Sequence, residues 1–511
     1  MSAPARFVSS TRLISALTLT SRVLGLAREA VFGYFFGASG VLSAFRIAFM
    51  LPNLARRLFG EGALSAALIP VLTRVVERDG TPAARRFVGT VFAWVALVLA
   101  GIVAVLEIGI LLWRSMADDA ALRYAAVLLP YMPLICCVAL LGGALQVRGR
   151  FGTPAACPIL LNVSIIVSAL VAGGAGWRDE RLMAAICAGV LAAGVLQLAT
   201  VWTAAKRAGV APLVRTLRLS GPVRDVLTMM GPMVLGLSAV QINSLLDYLI
   251  AYGFVQVRGE RIGPAVLGFA QYLYQLPLGV FGIALATAVF PDLSRHAARR
   301  EEHALNETLQ RAVRLSLFIA LPASAGLILV AQPLVATLYQ RGAFDAAQTA
   351  RVAGVLRWYG VGMAAYFLQH ILVRAFYAVE DSTTPARVAA RMVLVNVTLN
   401  LLLVQVMEER GLALSTSACA FLQILLLART LRRRLPKLDV RPLRRPIVLL
   451  VSATVVMGGA VYALRAWLEH GFREPPPTGL QLAILVAAGM GIYGVVASVL
   501  RLPELHWLLK R

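Results

Sequence analysis

The chain is poor in charged residues. Only 14% of its 511 residues are Asp, Glu, Lys or Arg, whereas about a quarter is usual in soluble proteins. Apolar residues make up 59% and stand in long runs. This composition excludes an ordinary soluble globular protein and indicates an all-α polytopic membrane protein.

Acidic residues are scarcer than basic ones, 25 against 49, which gives a formal net charge of +24. Such an excess often indicates phosphate or nucleic-acid binding. The basic residues here lie in short loops between apolar runs, which is the pattern that the positive-inside rule produces. We therefore expect no nucleic-acid partner, and we interpret most of the charge as a topology signal.

Motifs for catalysis and metal binding are missing. The sequence has no Walker loop, no nucleophile elbow and no spaced metal pattern among its five cysteines and five histidines. It predicts a transporter without a cofactor rather than an enzyme. Without a nucleotide site, transport must draw on an ion gradient or the membrane potential. The first apolar stretch also carries Arg22, Arg28 and Glu29 and has no A-x-A exit, so we expect no cleavable signal peptide.

Runs of about 20 apolar residues predict membrane-spanning helices. We count fourteen, at 8–36, 41–74, 85–113, 120–147, 154–175, 182–205, 225–254, 263–292, 308–331, 348–378, 385–406, 410–430, 446–467 and 479–500. The second is long and broken, with Pro52 and residues 60–62 (GEG) inside it. With fourteen spans every strongly basic loop falls on one side, so both termini are predicted to be cytoplasmic.

Three short matches indicate an internal repeat. Residues 23–26 (VLGL) recur at 234–237, residues 70–74 (PVLTR) resemble 291–295 (PDLSR), and Thr153–Pro154 recurs as Thr384–Pro385. Six spans per repeat preserve orientation, so the halves are predicted to be parallel repeats. We expect an N-lobe at 1–215, a C-lobe at 216–435 and two added spans at 436–511. Segment 206–224 has the pattern of an amphipathic surface helix.

Charged residues inside spans are costly and usually mark a substrate path. Span 1 carries Arg22 and Arg28, and span 2 places Arg46, Met50, Asn53 and Arg57 on one helical stripe, with Arg56 beside it. Guanidinium groups match phosphate and pyrophosphate oxygens. We expect Glu29 and Glu61 to relieve part of the repulsion. The alternative is that Arg56 and Arg57 reach the interface while Arg28 only pairs with Glu29. Arg374 and Arg391 are further candidates.

A second candidate group lies in the second half of the sequence and contains one carboxylate among polar, uncharged side chains. Asp247 is the lone carboxylate in the middle of span 7, Asn396 and Asn400 share one face of span 11, and Thr416 lies in span 12. Such oxygens can hold a monovalent cation such as sodium. Hydrogen bonding between helices is the commoner use of Asn and Thr in spans, and both interpretations stay open.

Several stretches resemble the MurJ/MviN family of lipid II flippases, and the resemblance covers essentially the whole chain. They are 21–29 (SRVLGLARE), 51–63 (LPNLARRLFGEGA), 151–162 (FGTPAACPILLN), 276–282 (LPLGVFG) and 376–385 (FYAVEDSTTP). The resemblance implies two six-helix lobes in a V around a cationic central cavity, with two C-terminal helices forming a groove for a lipid tail.

The resemblance also implies a function. The substrate would be lipid II, an undecaprenyl-pyrophosphate glycopeptide, moved by alternating access from the cytoplasmic to the periplasmic leaflet of the bacterial inner membrane. Coupling would use membrane potential or sodium, with Asp247, Asn396, Asn400 and Thr416 at the ion site. Arg22, Arg28, Arg56 and Arg57 match functional arginines of the family. The expected partners are membrane lipids and cell-wall synthases, and we expect a monomer.

The chain departs from the family pattern at three places. Ser43 stands where an acid is common, Met50 where a lysine is often found, and Tyr272 where an arginine is expected. Arg46 adds a positive charge one turn from Met50. Two alternatives therefore stay open beside lipid II flipping: a flippase or exporter for another cargo, such as a different polyprenyl-pyrophosphate glycan or a drug, and a non-transporting membrane scaffold derived from a flippase.

Overall fold

The computed structural model describes residues 3–58, 64–114, 119–435, 439–471 and 476–509, and within these ranges it gives no side-chain account of 3–12, 114, 232, 235–240 and 508–509. It is an all-α fold whose strands are confined, in this part of the chain, to a small hairpin of β1 (Gln256–Val257) and β2 (Glu260–Arg261). The glutamate proposed above at position 61 lies outside the described residues.

The helices follow the predicted spans. They are α1 (Ala3–Phe36), α2 (Gly40–Ala55), α3 (Leu64–Arg114), α4 (Ala120–Leu128), α5 (Tyr131–Val147), α6 (Gly152–Gly174), α7 (Asp179–Arg207), α8 (Gly221–Phe254), α9 (Gly263–Pro277), α10 (Ile283–Ala298), α11 (Glu302–Tyr339), α12 (Ala346–Ala378), α13 (Thr383–Met407), α14 (Glu409–Arg434), α15 (Arg444–His470), α16 (Thr478–Val499) and α17 (Pro503–Leu509). A π-helical turn, Leu278–Gly282, joins α9 to α10.

Nine helices in the described ranges are long and apolar enough to cross a membrane, or ten if the bent pair α4 and α5 forms one span. These do not include α1, α2, α8 and α12. Helix α2 has only 16 residues, and α1 and α12 carry arginines within their length. Charged groups inside a span lower its hydropathy and are tolerated where protein surrounds them.

One predicted boundary differs in the structure. Spans 2 and 3 were expected to be separated by a loop at 75–84, but α3 runs through this region with a single kink at Gly80, whose φ is +74°. Only glycine adopts this conformation without strain, so Gly80 turns the chain where a charged loop was expected. Of the break predicted in span 2, Pro52 lies inside α2, and residues 60–62 lie outside the described residues; α2 ends at Ala55 and is followed by a π-helical turn at 56–58.

The chain divides into two compact units. The first contains Met1–Leu245 and Val257–Ala265, and the second contains Leu246–Gln256 and Val266–Arg511. The division falls inside α8, after the lobe boundary expected at 215, and the proposed three lobes stay a prediction. In the second unit, α15 and α16 pack on α11 around Leu450, Met457 and Leu485, all at most 3% exposed.

The expectation of an amphipathic helix at 206–224 is wrong. Helix α7 ends at Arg207 and α8 begins at Gly221, and the residues between them form a non-helical strap along α3. Side chains of α3 hold its backbone: Arg85 Nε donates to the Ala211 carbonyl (3.2 Å), Thr90 Oγ1 to that of Thr216 (3.1 Å), and Trp94 Nε1 to that of Leu217 (2.9 Å). These bonds replace those that a helix would make, so the hydrophobic pattern alone did not decide the conformation.

Close approach of the strap requires a glycine in α3. A Cβ atom at Gly89 would lie 2.4 Å from the backbone carbonyl of Leu213, whereas the amide of Leu213 donates to the Arg85 carbonyl at 3.0 Å. Because the obstacle is backbone, a side chain at this position must displace the strap.

We expect Gly89→Ala to lower the thermal unfolding temperature, since overpacking costs about 1–3 kcal/mol. Gly101→Ala is a matched control in the same helix, because nothing lies within 4 Å of its Cβ position; its effect should be neutral or stabilising by up to about 1 kcal/mol from helix propensity. Equal unfolding temperatures for the two variants, measured in the same detergent, would show that the strap does not depend on Gly89.

Candidate functional site

The first candidate group is built around a buried carboxylate in α1. Glu29 is 3% exposed. Its Oε1 accepts a bond from Arg28 Nη2 at 2.8 Å, and its Oε2 accepts one from Arg46 Nη2 of α2 at 2.7 Å. The prediction that Glu29 relieves repulsion between the arginines is therefore consistent with these two ion pairs. Glu29 holds both guanidinium groups in one place between α1 and α2.

Helix α6 completes this group. Arg28 Nη1 donates to Asn162 Oδ1 at 3.0 Å, and Asn162 Nδ2 donates to the Ser21 carbonyl at 3.1 Å. The Arg28 guanidinium also lies 6.0 Å from the ring centre of Phe32. We did not assign a role to Asn162 from the sequence, although it ends the stretch at 151–162 that resembles the family. Its position in that stretch is the sequence feature that could have indicated a functional role.

The Nε–H donor of Arg28 has no acceptor in the described part of the protein. Arg28 Nε is buried and has no hydrogen-bond partner among the described residues, while both Nη atoms are engaged. A buried guanidinium donor without an acceptor is costly. An anion close to Arg28 would satisfy it, and phosphate oxygens have the geometry to do so.

The remaining arginines of span 2 make separate contacts. Arg56 donates through Nε and Nη2 to Asn53 Oδ1, at 3.2 and 2.9 Å. Arg57 Nη1 donates to Gln241 Oε1 of α8 at 3.2 Å. Arg22 is half-buried in α1. The sequence predicted a single helical stripe of Arg46, Met50, Asn53 and Arg57. The π-helical turn at 56–58 interrupts this stripe, because its rotation per residue differs from that of the α-helix before it.

The three departures from the family pattern have definite positions. Ser43 is fully buried, and its hydroxyl donates to the Ser39 carbonyl and accepts from the Ala265 amide at 3.1 Å. Its oxygen therefore serves backbone groups rather than the arginines. Met50 is half-buried in α2, and Tyr272 is half-buried in α9. Arg374 in α12 lies over the ring of Phe290, 5.3 Å from its centre.

The second candidate group lies within the second unit. Asn400 Nδ2 donates to Asp247 Oδ1 (2.6 Å) and to Asn396 Oδ1 (3.0 Å), and Asn396 Nδ2 donates to Ser415 Oγ (3.0 Å). Ser415 Oγ in turn hydrogen-bonds to Asn400 Oδ1. All four side chains are buried. The structure thus brings together three of the four residues predicted for an ion site and adds Ser415.

Thr416 does not join this chain of hydrogen bonds. Its hydroxyl donates to the Leu412 carbonyl of its own helix at 2.9 Å, and Ser415 supplies the hydroxyl at the network. The sequence did not predict Ser415, because Ser415 and Thr416 are both small hydroxyl residues and only the helix register of α14 distinguishes them. Within the described ranges, no three or more His, Cys, Asp or Glu side chains are grouped so that they could hold a metal ion. The oxygens of Asp247, Asn396 and Asn400 are the ones that could hold a hard cation.

The loop motif at 376–385 has a structural role. Asp381 Oδ1 accepts bonds from the Thr383 hydroxyl (2.9 Å) and the Thr384 amide (3.0 Å), and its Oδ2 pairs with Arg434 at 3.0 Å. Burial opposes ionisation of Asp381, but these donors and Arg434 outweigh it and hold its pKa below the usual range. The motif therefore caps the start of α13 rather than forming a binding site.

We expect Glu29→Gln to destabilise the protein by about 3–5 kcal/mol, because it leaves two partly buried arginines without their counter-charge. Glu180→Gln is the matched control: Glu180 pairs with Arg123 at 2.7 Å, but the two side chains are 53% and 35% exposed. Breaking such an exposed pair costs about 0–1 kcal/mol. Thermal unfolding of both variants measures the difference, and similar losses would contradict the role given to Glu29.

The comparisons with known proteins agree with this architecture. The family model described as "Lipid II flippase MurJ" matches residues 32–473. A "Probable lipid II flippase MurJ" of Rhizobium tropici is 34% identical over 499 residues, which are 95% of this chain and 92% of that protein. A "Lipid II flippase MurJ" of Burkholderia cenocepacia is 32% identical over 467 residues and covers 88% of each chain.

Solved structures show the same fold. A "Lipid II flippase MurJ, inward closed conformation" superposes with a TM-score of 0.79 at 21% identity, covering 96% of this chain and 98% of that one. An inward-facing multidrug resistance MATE family transporter of the MOP superfamily gives 0.67 at 15% identity, covering 83% and 98%. The family match spans most of the chain, and the relatives match over nearly their whole length. The chain therefore belongs to the lipid II flippase MurJ family.

Proposed function

We propose that this protein flips lipid II from the cytoplasmic to the periplasmic leaflet of the bacterial inner membrane. Its membership of the family supports this function, and the Arg28–Glu29–Arg46 group is the observation that carries it. Transport is by alternating access, in which the substrate site opens to one side of the membrane and then to the other. The protein is a transporter and performs no covalent chemistry.

The chemistry of the group suits a pyrophosphate. Arg28 and Arg46 share one acid, Glu29, so this group keeps one net positive charge, and Arg22, Arg56 and Arg57 of α1 and the turn after α2 add further positive charge to the same unit. Arg28 Nε has a hydrogen available for an acceptor oxygen. Bidentate guanidinium–phosphate bonds are strong where water is scarce. Glu29 keeps two of these groups fixed, which lowers the ordering cost of binding.

The identity of the glycan rests on family membership alone. A pyrophosphate is common to many polyprenyl-linked sugars, so a flippase for another such glycan is the second candidate. A transporter of cationic drugs is disfavoured, because its site would concentrate acids rather than arginines. A non-transporting scaffold is the third candidate, motivated by Ser43 and Tyr272.

Topology and partners complete the proposal. The proposal includes a cytoplasmic location for both termini, which the basic loops support under the positive-inside rule. The transported molecule is the undecaprenyl-pyrophosphate glycopeptide, and membrane lipids surround the spans. Cell-wall synthases that consume lipid II are the proposed partners of a monomeric flippase.

We expect Arg28→Ala to abolish complementation of a bacterium depleted of its own lipid II flippase. The variant loses charge-assisted hydrogen bonds worth about 1.5–3 kcal/mol each to an anionic substrate. Arg178→Ala is the control, because Arg178 is exposed in the loop before α7. Both should reach wild-type levels in the membrane, which immunoblotting checks. Normal growth of the Arg28 variant would remove Arg28 from the substrate site.

We propose that the Asp247 network couples transport to an ion, with sodium as the candidate. Asp247→Ala should leave substrate binding intact and slow turnover about tenfold, within the range of ordinary coupling energies. Asp292→Ala is the control, since Asp292 is an exposed carboxylate of the same unit. Turnover measured against sodium concentration in vesicles tests this. A turnover independent of sodium in both wild type and the Asp247 variant would argue against an ion site.

A further inference from the structure

A third group of arginines lies in the second unit and shares no residue with the two groups described above. It begins on α12, where residues 357, 361, 364 and 368 follow one another at helical spacing and share a stripe. Ala364 and Leu368 of this stripe pack against the core formed by α11, α15 and α16. Arg357 is therefore the charged end of a face that α12 turns towards those helices.

Two more arginines approach Arg357 from neighbouring helices. The Arg410 side chain at the start of α14 lies against α12 one turn from Arg357, since a Cβ atom at Gly354 would be 2.7 Å from Arg410 Nε. Arg465 of α15 donates through Nη1 to the Leu329 carbonyl at 2.7 Å. Arg357 lies within electrostatic range of both guanidinium groups, and its side chain is half-buried.

The acids nearby are engaged elsewhere. Glu469 accepts from Arg465 Nε at 2.8 Å, and Glu408 and Glu409 both pair with Arg351. Within the described ranges, no acidic side chain pairs with Arg357 or Arg410, and the charged groups that act on Arg357 are both arginines. Arg357 and Arg465 are half-buried and Arg410 is exposed. Neighbouring guanidinium groups repel one another, and an anion is the ordinary compensation.

The surroundings indicate what kind of anion this is. Tyr462 and Trp467 on the same end of α15 are 65% and 57% exposed, and Val361 on α12 is 41% exposed. Exposed Tyr and Trp side chains near the end of a span are typical of the headgroup level of a bilayer. Arg357, Arg410 and Arg465 thus lie where lipid phosphates lie, with apolar surface beside them for acyl chains.

The three arginines can also be assigned to one side of the membrane. Arg410 is the second residue of α14, Arg465 lies five residues before the end of α15, and Arg357 lies in the first half of α12, about three turns from its start. The basic stretches of this unit at 295–300, 432–434 and 441–445 lie towards the opposite ends of their helices. The arginines are therefore on the side with few positive charges, where the positive-inside rule does not account for them.

We propose that Arg357, Arg410 and Arg465 bind the phosphate of an anionic phospholipid on the extracytoplasmic side of the membrane. Arg465, fixed by Leu329 and Glu469, provides the rigid part of the site, and Arg357 and Arg410 provide donors that no side chain in the described part of the protein engages. The bound lipid fills the junction of α12, α14 and α15 and holds these helices together. The site is separate from the Arg28 group and does not depend on the identity of the transported substrate.

The test uses the purified full-length protein in a neutral detergent. Thermal unfolding is followed while phosphatidylglycerol, phosphatidylcholine, inorganic phosphate or a polyprenyl pyrophosphate is titrated, because a ligand that binds the folded state raises the unfolding temperature. We expect phosphatidylglycerol to stabilise the wild type more than the other three do. Arg357→Ala and Arg410→Ala should each raise its apparent Kd about tenfold or more, as expected for a lost charge-assisted bond.

Two variants make the result specific. Arg341→Ala removes an exposed arginine at the same end of the bundle, where Arg341 donates to the Thr337 carbonyl, and it should bind phosphatidylglycerol like the wild type. Arg357→Lys keeps the charge without the planar fork and should bind with intermediate affinity. Three outcomes would overturn the proposal: equal stabilisation by phosphatidylcholine, equal stabilisation by free phosphate or polyprenyl pyrophosphate, or the same Kd for the Arg357 and Arg341 alanine variants.

Discussion

The carboxylate of Glu29 holds two arginine side chains inside the first two spans. Charges in the middle of a membrane protein are tolerated only when a partner or a ligand compensates them. Glu29 compensates one of the two positive charges and fixes the position of both, through bonds of 2.8 and 2.7 Å. The arrangement leaves a net positive site of defined geometry, and this is what a pyrophosphate requires.

The rest of the first unit follows from that constraint. Asn162 of α6 orients Arg28 and is itself bound to the backbone of α1, so three helices meet at the pair. Ser43, which stands where the family commonly has an acid, uses its hydroxyl on backbone groups instead. The described part of this site therefore carries less negative charge than the family pattern suggests, and its attraction for an anion is correspondingly larger.

The positions of the helices could be predicted from sequence, because apolar runs of span length have few alternatives. The conformation of segment 208–220 could not, since it depends on three side chains of α3 that bind its backbone and on the missing Cβ of Gly89. The hydrophobic pattern also could not predict the π-helical turn at 56–58, or that Ser415 rather than Thr416 joins the Asp247 network. Both depend on helix register, which a shift of one residue changes completely.

The Asp247 network shows how polar groups are accommodated by hydrogen bonding. Asp247, Asn396, Asn400 and Ser415 are joined by hydrogen bonds, so the carboxylate is buried among amide and hydroxyl groups. The two candidate groups thus carry different polar chemistry: arginines paired to one acid around Glu29, and amide and hydroxyl groups around one acid at Asp247. This difference fits a division between substrate binding and coupling.

The central claim is that fixed guanidinium groups recognise the pyrophosphate of a lipid-linked glycan. The most direct test reconstitutes the purified protein in vesicles and measures leaflet exchange of labelled lipid II and of the same lipid with a single phosphate. The account predicts rapid exchange of the pyrophosphate form and much slower exchange of the monophosphate form. Equal rates for both, or no exchange of lipid II by the folded protein, would contradict it.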